Sequence, residues 1–223
     1  MRKNMSSFFN YDNAFFTFLG KICDIIFLSI IWAVVCIPIV TIGPANTALY
    51  YATVKVIRRE RGYLFREFFK SFRLNFTRGA IMGIALTVIA FILMLDIYTS
   101  WTANSGSTSL NSIFFGVYIA LAFFILSFSL YVFPVLSRFN MTMKQLIKAA
   151  AFMCIRHLFH TIIMLINLIA GIVVVLIFPL ALVIIPAIVT LINSFIMERV
   201  LKKYMPQTEN TEENSNKDEW YLE

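Results

Sequence analysis

Long apolar runs alternate with short polar connections along most of the chain. Residues 22–42, 79–98, 113–135, 158–178 and 180–197 are each almost unbroken in apolar character. About 20 residues at ~1.5 Å rise cover the ~30 Å hydrocarbon core of a bilayer, so each run is long enough to cross. Lipid offers no partner for backbone N–H and C=O groups, so the runs must be helical. The first follows Lys21 and lacks a small-residue cleavage site, which reads as a retained span and not a secretory signal. Pro134 falls near the end of its run, Pro179 separates the last two, and Pro186 predicts a kink in the final one.

Three further stretches depart from this pattern. Residues 45–57 are apolar but cover only ~20 Å as a helix, too short for a full crossing. The segment 36–44, with two prolines and Gly43-Pro44 at its end, reads as a break from which a short helix returns; Pro44 suits a first helical turn, where an N–H has no partner to lose. Non-helical backbone at membrane depth persists only inside protein or beside a wet cavity. Thr41, Gly43, Pro44 and Asn46 are therefore the candidate residues of a structural break or a ligand site. In residues 63–78, Phe65, Phe68, Phe69, Phe72 and Phe76 recur at helical spacing opposite Arg66, Lys70 and Arg73. That pattern predicts an interfacial amphipathic helix, with Arg66, Phe68, Phe69, Lys70, Phe72 and Arg73 as candidate interfacial or partner-binding residues. Residues 8–19 carry a weaker version of it, interrupted by Asp12. The fold class predicted is all-α: a polytopic transmembrane helical bundle of five full spans, a short or re-entrant helix and a surface helix. It forms one domain over 1–206, followed by an acidic, disordered tail at 207–223.

Composition agrees with a membrane class and adds orientation. Apolar residues make up 60% of the 223 and charged ones 14%, where a soluble chain carries about 25% charged residues. The formal charge of +7 raises nucleic acid as a partner, but the basic residues flank apolar runs, where they match anionic lipid headgroups. The connection at 55–78 is rich in Lys and Arg, whereas 99–112 has no charge. The positive-inside rule puts the first in the cytoplasm and the second outside. Arg138, Lys144, Lys148 and Arg156 return the next connection to the cytoplasm, and Arg199, Lys202 and Lys203 keep the C-terminus there. Arg2, Lys3 and Lys21 place the N-terminus inside as well, which requires the 45–57 segment to return. The expected location is a bacterial plasma membrane, multi-pass, with both termini cytoplasmic.

Candidate chemistry is sparse. Cys23, Cys36 and Cys154 have no metal or disulfide spacing and read as small buried hydrophobes. Asp24 and Asp96 lie near span ends, and intramembrane acids are candidates for proton or ion handling. Asn167 and Asn193 sit deeper, where interhelical hydrogen bonding is the structural role. Asn167, Asn193 and Asp96 are thus the candidate intramembrane polar residues. His157 and His160 lack a third metal ligand nearby. No phosphate-binding glycine loop, H-E-x-x-H or G-x-S-x-G occurs. The expectation is no enzyme, no cofactor and no metal.

Several stretches carry a resemblance: residues 9–13 (Phe-Asn-Tyr-Asp-Asn), Trp32, residues 37–45 (Ile-Pro-Ile-Val-Thr-Ile-Gly-Pro-Ala), residues 48–51, residues 62–69 and Asn75-Phe76. Together they resemble the YesL-like family of bacterial membrane proteins, specifically over about residues 8–80 and by hydropathy pattern beyond. Ser29 stands where the family pattern has Asn before the tryptophan. The family has no established activity. Its members are often encoded beside carbohydrate-uptake ABC transporters, glycoside hydrolases and sugar-responsive sensors, so the resemblance implies an accessory role in sugar uptake or its regulation. ABC-transporter or sensor-kinase subunits would then be partners, beside the lipid bilayer, with no nucleic acid. The alternative is a transport subunit or small-molecule carrier with a site at the broken first helix. Lys148-Ala-Ala-Ala-Phe152 faintly resembles the coupling loop of ABC importer permeases but lacks its leading Glu and its Gly. Convergence of Asn167, Asn193 and Thr41 on one cavity would favour the carrier.

Overall fold

The computed structural model describes residues 14–103 and 109–204. The acidic tail and the first half of the 8–19 segment lie outside these. Apart from short turns the described residues are helical, without a strand. The order is α1 (Ala14–Val35), a 3-10 turn (Ile39–Thr41), α2 (Ile42–Ala52), a π turn (Thr53–Arg58), α3 (Leu64–Leu74), α4 (Phe76–Ala103), α5 (Ser109–Arg138), α6 (Met143–Arg156), α7 (Leu158–Ile177), a second 3-10 turn (Pro179–Val183) and α8 (Ile185–Leu201). Three of these, Phe76–Thr102, Ser112–Arg138 and Leu158–Ile177, are long and apolar enough to cross a membrane.

The break after the first apolar run is real, but earlier than its predicted boundary. Helix α1 ends at Val35, before Pro38, and not at residue 42. Thr41 closes the turn, its hydroxyl 2.5 Å from the Val35 carbonyl oxygen and 2.6 Å from that of Pro38. Helix α2 then starts at Ile42, with Pro44 inside its first turn, and runs back along α1, tied to it where the Trp32 indole N–H donates to Asn46 Oδ1 at 2.9 Å. Its first turn crosses α4 at backbone contact. A Cβ on Gly43 would stand 1.9 Å from the Gly79 carbonyl oxygen, and one on Gly83 2.8 Å from the Gly43 Cα. Gly79 and Gly83 form a G-x-x-x-G step, the small-residue spacing that lets two helices approach this closely.

Two predicted boundaries give way to side-chain chemistry. The amphipathic helix expected over 63–78 stops at Leu74, because Asn75 leaves helical geometry and its Nδ2 donates to the Ser71 carbonyl oxygen at 3.1 Å. Only then does α4 begin. Pro186 does not kink the last span: α8 starts one residue before it, so the proline lies in the first turn, where its missing N–H costs nothing. A 3-10 turn replaces the helix expected from residue 180, and α8 is 17 residues long. Ser29 of α1 caps it from afar, its Oγ accepting from the Ala187 N–H at 3.1 Å.

Helix α6 was not foreseen. The Thr142 amide donates to Gln145 Oε1 at 3.1 Å and the Thr142 side chain accepts from the Gln145 backbone N–H, completing a capping box. Its Leu146, Ala150, Met153 and Cys154 face a core shared with Tyr131, Val135, Met164 and Met197. A second core joins Leu28, Ala48, Leu49 and Ala52 of the α1–α2 hairpin to Phe68 of α3.

Candidate functional site

Helix α2 stands at the centre of the chain's polar interior. Asn46 lies where two adjoining cavities meet, of about 160 Å³ and 250 Å³, which share Asn46, Leu49, Leu168, Val189 and Thr190. The cleft runs from Trp32 and Gly171 at one end to Tyr50 and Met197 at the other. Its polar atoms are mostly engaged already. Asn46 accepts from Trp32, Ser129 donates to the Leu126 carbonyl and Thr190 to that of Pro186. A cleft so lined suits an apolar or amphipathic molecule better than a sugar, whose many hydroxyls need partners.

Asn167 and Asn193 do meet: Asn167 Nδ2 donates to Asn193 Oδ1 at 2.8 Å and to the Val189 carbonyl at 3.2 Å. Asn193 Nδ2 donates in turn to the Met164 carbonyl at 3.4 Å. The pair bridges α7 and α8 in the way expected for amides between membrane helices. Asn193 also lines the smaller cavity. Thr41, by contrast, spends its hydroxyl on the turn, and Gly43 and Pro44 pack on α4, so the structure brings Asn46 and Asn193 to the cleft but not the other break residues. Asp96 lies on α4 about 20 Å of helix beyond Gly83 and takes no part.

Below the Tyr50 end of the cleft is a buried charge cluster. Glu198 of α8 accepts from the Tyr50 hydroxyl at 2.7 Å and from Arg138 Nη2 of α5 at 2.5 Å, with Arg59 Nη2 at 3.8 Å. The Glu198 and Arg138 side chains are 6% and 1% exposed, so one carboxylate joins α2, α5 and α8 out of contact with water. Burial, and then the nearby Arg138 charge, hold the Arg59 guanidinium below its usual value. The π turn presents Arg58 and Arg59 to α8 while turning Lys55 the other way, toward α3. There Lys55 Nζ meets Glu67 Oε2 at 2.9 Å, again buried. π turns add a residue to the helical register and so re-aim the side chains that follow.

Helix α3 is docked by this pair and by Phe68, which is fully buried. Phe68 therefore belongs to the core and not to an interfacial aromatic face. Phe65, Phe69, Phe72 and Phe76 form a tilted and edge-to-face ladder along the helix side, with successive ring centroids 4.6, 6.2 and 5.5 Å apart, and Phe69 and Phe72 pack in part on the same core. Arg66, Lys70 and Arg73 face outward.

The sequence signals missed here are specific. The G-x-x-x-G at 79–83 announces a close helix crossing, and the Thr-x-x-Gln at 142–145 announces α6. A lone glutamate and a lone arginine at the ends of two apolar runs could have been paired on desolvation grounds alone. Among the described residues, no three of His, Cys, Asp and Glu cluster in a way that could hold a metal.

Three helices long and apolar enough to cross a membrane, two of which line an apolar cleft, point to a helical membrane protein. Residues 25–97 match the family model described as "Protein of unknown function, DUF624". The match takes in the α1–α2 hairpin, α3 and most of α4, and it overlaps the stretch that carries the YesL-like resemblance. No curated protein and no solved structure matches the chain.

Proposed function

We propose that the chain is a non-catalytic interaction component of a bacterial plasma membrane, accessory to carbohydrate uptake or its regulation. The single observation that supports it best is the mounting of α3. A buried Lys55–Glu67 pair and a buried Phe68 fix the helix from behind, leaving Arg66, Lys70 and Arg73 displayed on its outer side. A rigid row of cations is suited to docking an acidic surface. The carbohydrate connection rests on the family resemblance, which names ABC-transporter and sensor-kinase subunits as the partners to look for.

The same proposal fixes a topology. Lys21–Glu60, Arg59–Glu198, Arg138–Glu198 and Arg78–Asn140 gather the basic residues at one end of the bundle. By the positive-inside rule that end is cytoplasmic. Gly43 meets α4 at Gly79 and Gly83, close to this end, with roughly 30 Å of α4 still to run. The α1–α2 turn thus lies within the bilayer, and the hairpin is re-entrant. Helices α4, α5, α7 and α8 cross, and both termini are cytoplasmic.

Full-length protein carrying R66Q/K70Q/R73Q tests the docking role. Wild-type protein, solubilised mildly from native membranes, is expected to co-purify stoichiometrically with transporter or sensor subunits. The triple variant is expected to insert normally and lose them. Equal recovery by both, or wild type recovered alone, rejects the interaction reading. The cleft beside Asn46 favours a second reading, a small-molecule carrier for an amphipathic solute, and solitary recovery would turn attention there.

A further inference from the structure

The groove between α1 and α8 at the basic end has no part in either role above. It encloses about 400 Å³. Its walls are Ile22 and Ile25 on α1 and Leu191 and Phe195 on α8, and Lys21 and Arg58 stand at its basic end. The two helices run antiparallel, so Ile22 is level with Phe195 and Ile25 with Leu191. The groove therefore has cations at one end and hydrocarbon along its length.

Arg58 is held ready for an anion. Its Nη1 donates to the Ser194 carbonyl at 2.9 Å and to Ser194 Oγ at 3.3 Å, and its guanidinium stands 4.2 Å from the centre of the Phe195 ring. A guanidinium carries five N–H donors, so Nε and Nη2 are left to face an oxyanion. Lys21, at the opposite lip, shares its charge with Glu60 at 2.5 Å, and both side chains are substantially exposed. Asp24 lies in the adjoining groove, with Lys21 and Glu60. Taken over both grooves these two carboxylates offset Lys21 and Arg58, but neither lines this one, whose own lining holds the two cations and no acid and so suits the single charge of a phosphodiester and not a polyanion.

We propose that this groove binds an anionic phospholipid of the cytoplasmic leaflet. Its phosphodiester lies between Arg58 and Lys21, and one acyl chain runs along Ile22, Ile25, Leu191 and Phe195. Basic pockets between membrane helices on the cytoplasmic side take lipid headgroups in this way. The apolar walls select a lipid over a free anion, because inorganic phosphate would leave them facing water. The proposal requires only that the basic end meets a leaflet, and stands apart from any partner docked on α3.

Native mass spectrometry of the full-length protein, released from membranes containing phosphatidylglycerol and phosphatidylcholine, tests it directly. The wild type is expected to retain phosphatidylglycerol selectively, and its melting temperature is expected to rise in phosphatidylglycerol nanodiscs relative to phosphatidylcholine ones. K21Q/R58Q removes the cations and should lose both effects. Ile22→Trp fills the groove, leaves the cations in place, and should also lose the retained lipid. K70Q/R73Q on α3 should keep it. Retention of both lipids alike by the wild type, or unchanged retention by K21Q/R58Q and by Ile22→Trp, overturns the proposal. A stabilisation reproduced by inorganic phosphate alone also overturns it, by making the site one for a free anion.

Discussion

Gly43 and Glu198 show how single residues carry this bundle. At Gly43 any side chain must enter the backbone of α4, with a Cβ 1.9 Å from a carbonyl oxygen. Gly43→Val is therefore expected to lower the melting temperature in detergent by an amount equivalent to about 1–3 kcal/mol, the usual cost of overpacking. Gly116→Ala, where a Cβ would meet nothing within 4 Å, should be neutral or mildly stabilising. Glu198 is the carboxylate that joins Tyr50, Arg59 and Arg138. Glu198→Ala takes a carboxylate away from Arg138 in a dry site and should cost about 3–5 kcal/mol. Adding Arg138→Leu to it should restore part of the loss, since removing both charges removes the desolvation penalty as well. Thermal unfolding of the single and double variants decides this, and a double variant less stable than Glu198→Ala would refute the desolvation account.

The short helices are less alike than their sequences imply. The phenylalanines of α3 share a helical spacing, yet one is sealed in the core while its neighbours form a half-exposed ladder. Phe68→Ala should destabilise by about 3–5 kcal/mol, as for a buried aromatic. Phe65→Ala should cost under ~1 kcal/mol, in line with surface substitutions. Equal effects in a thermal-shift comparison would mean that α3 lies on the lipid surface and is not docked. The difference arises because a helix periodicity gives a face, whereas the hairpin behind it chooses which residue of that face is enclosed. Helix α6 illustrates the converse. Its amphipathicity was legible in Leu146, Ala150 and Met153, but only between two stronger apolar runs, so it read as part of a connection.

At the scale of the molecule, the proposal that the α1–α2 hairpin is re-entrant fixes an expected topology. Cysteines placed at Thr102 and Lys202 in a cysteine-free background should be labelled by a membrane-impermeant reagent from opposite sides of intact cells. One at Ile39, in the turn between α1 and α2, should resist labelling from either side until the membrane is dissolved. External labelling at Ile39 would instead make α1 a complete crossing. The reason for the expectation is geometric: the turn leads into the first turn of α2, which packs on a glycine step near the basic end of α4, well short of that helix's far end.

The sequence by itself determined that this is a helical membrane protein, that the chain breaks around Gly43-Pro44, and which loops are basic; of the five full spans it predicted, three are helices long and apolar enough to cross. These follow from lipid chemistry acting on composition and period, which needs no knowledge of neighbours. It also carried the family likeness, in the segment that the family match covers. Tertiary structure alone decided what the polar residues do. It gave Thr41 to a turn, Asn46 to a cleft, Asn167 to Asn193, and Glu198 to an arginine sixty positions away. Such pairings depend on which helix faces which, and a pattern with a period of 3.6 residues is silent on that. Helix neighbours are chosen by close packing and by the need of each buried charge or amide for a partner.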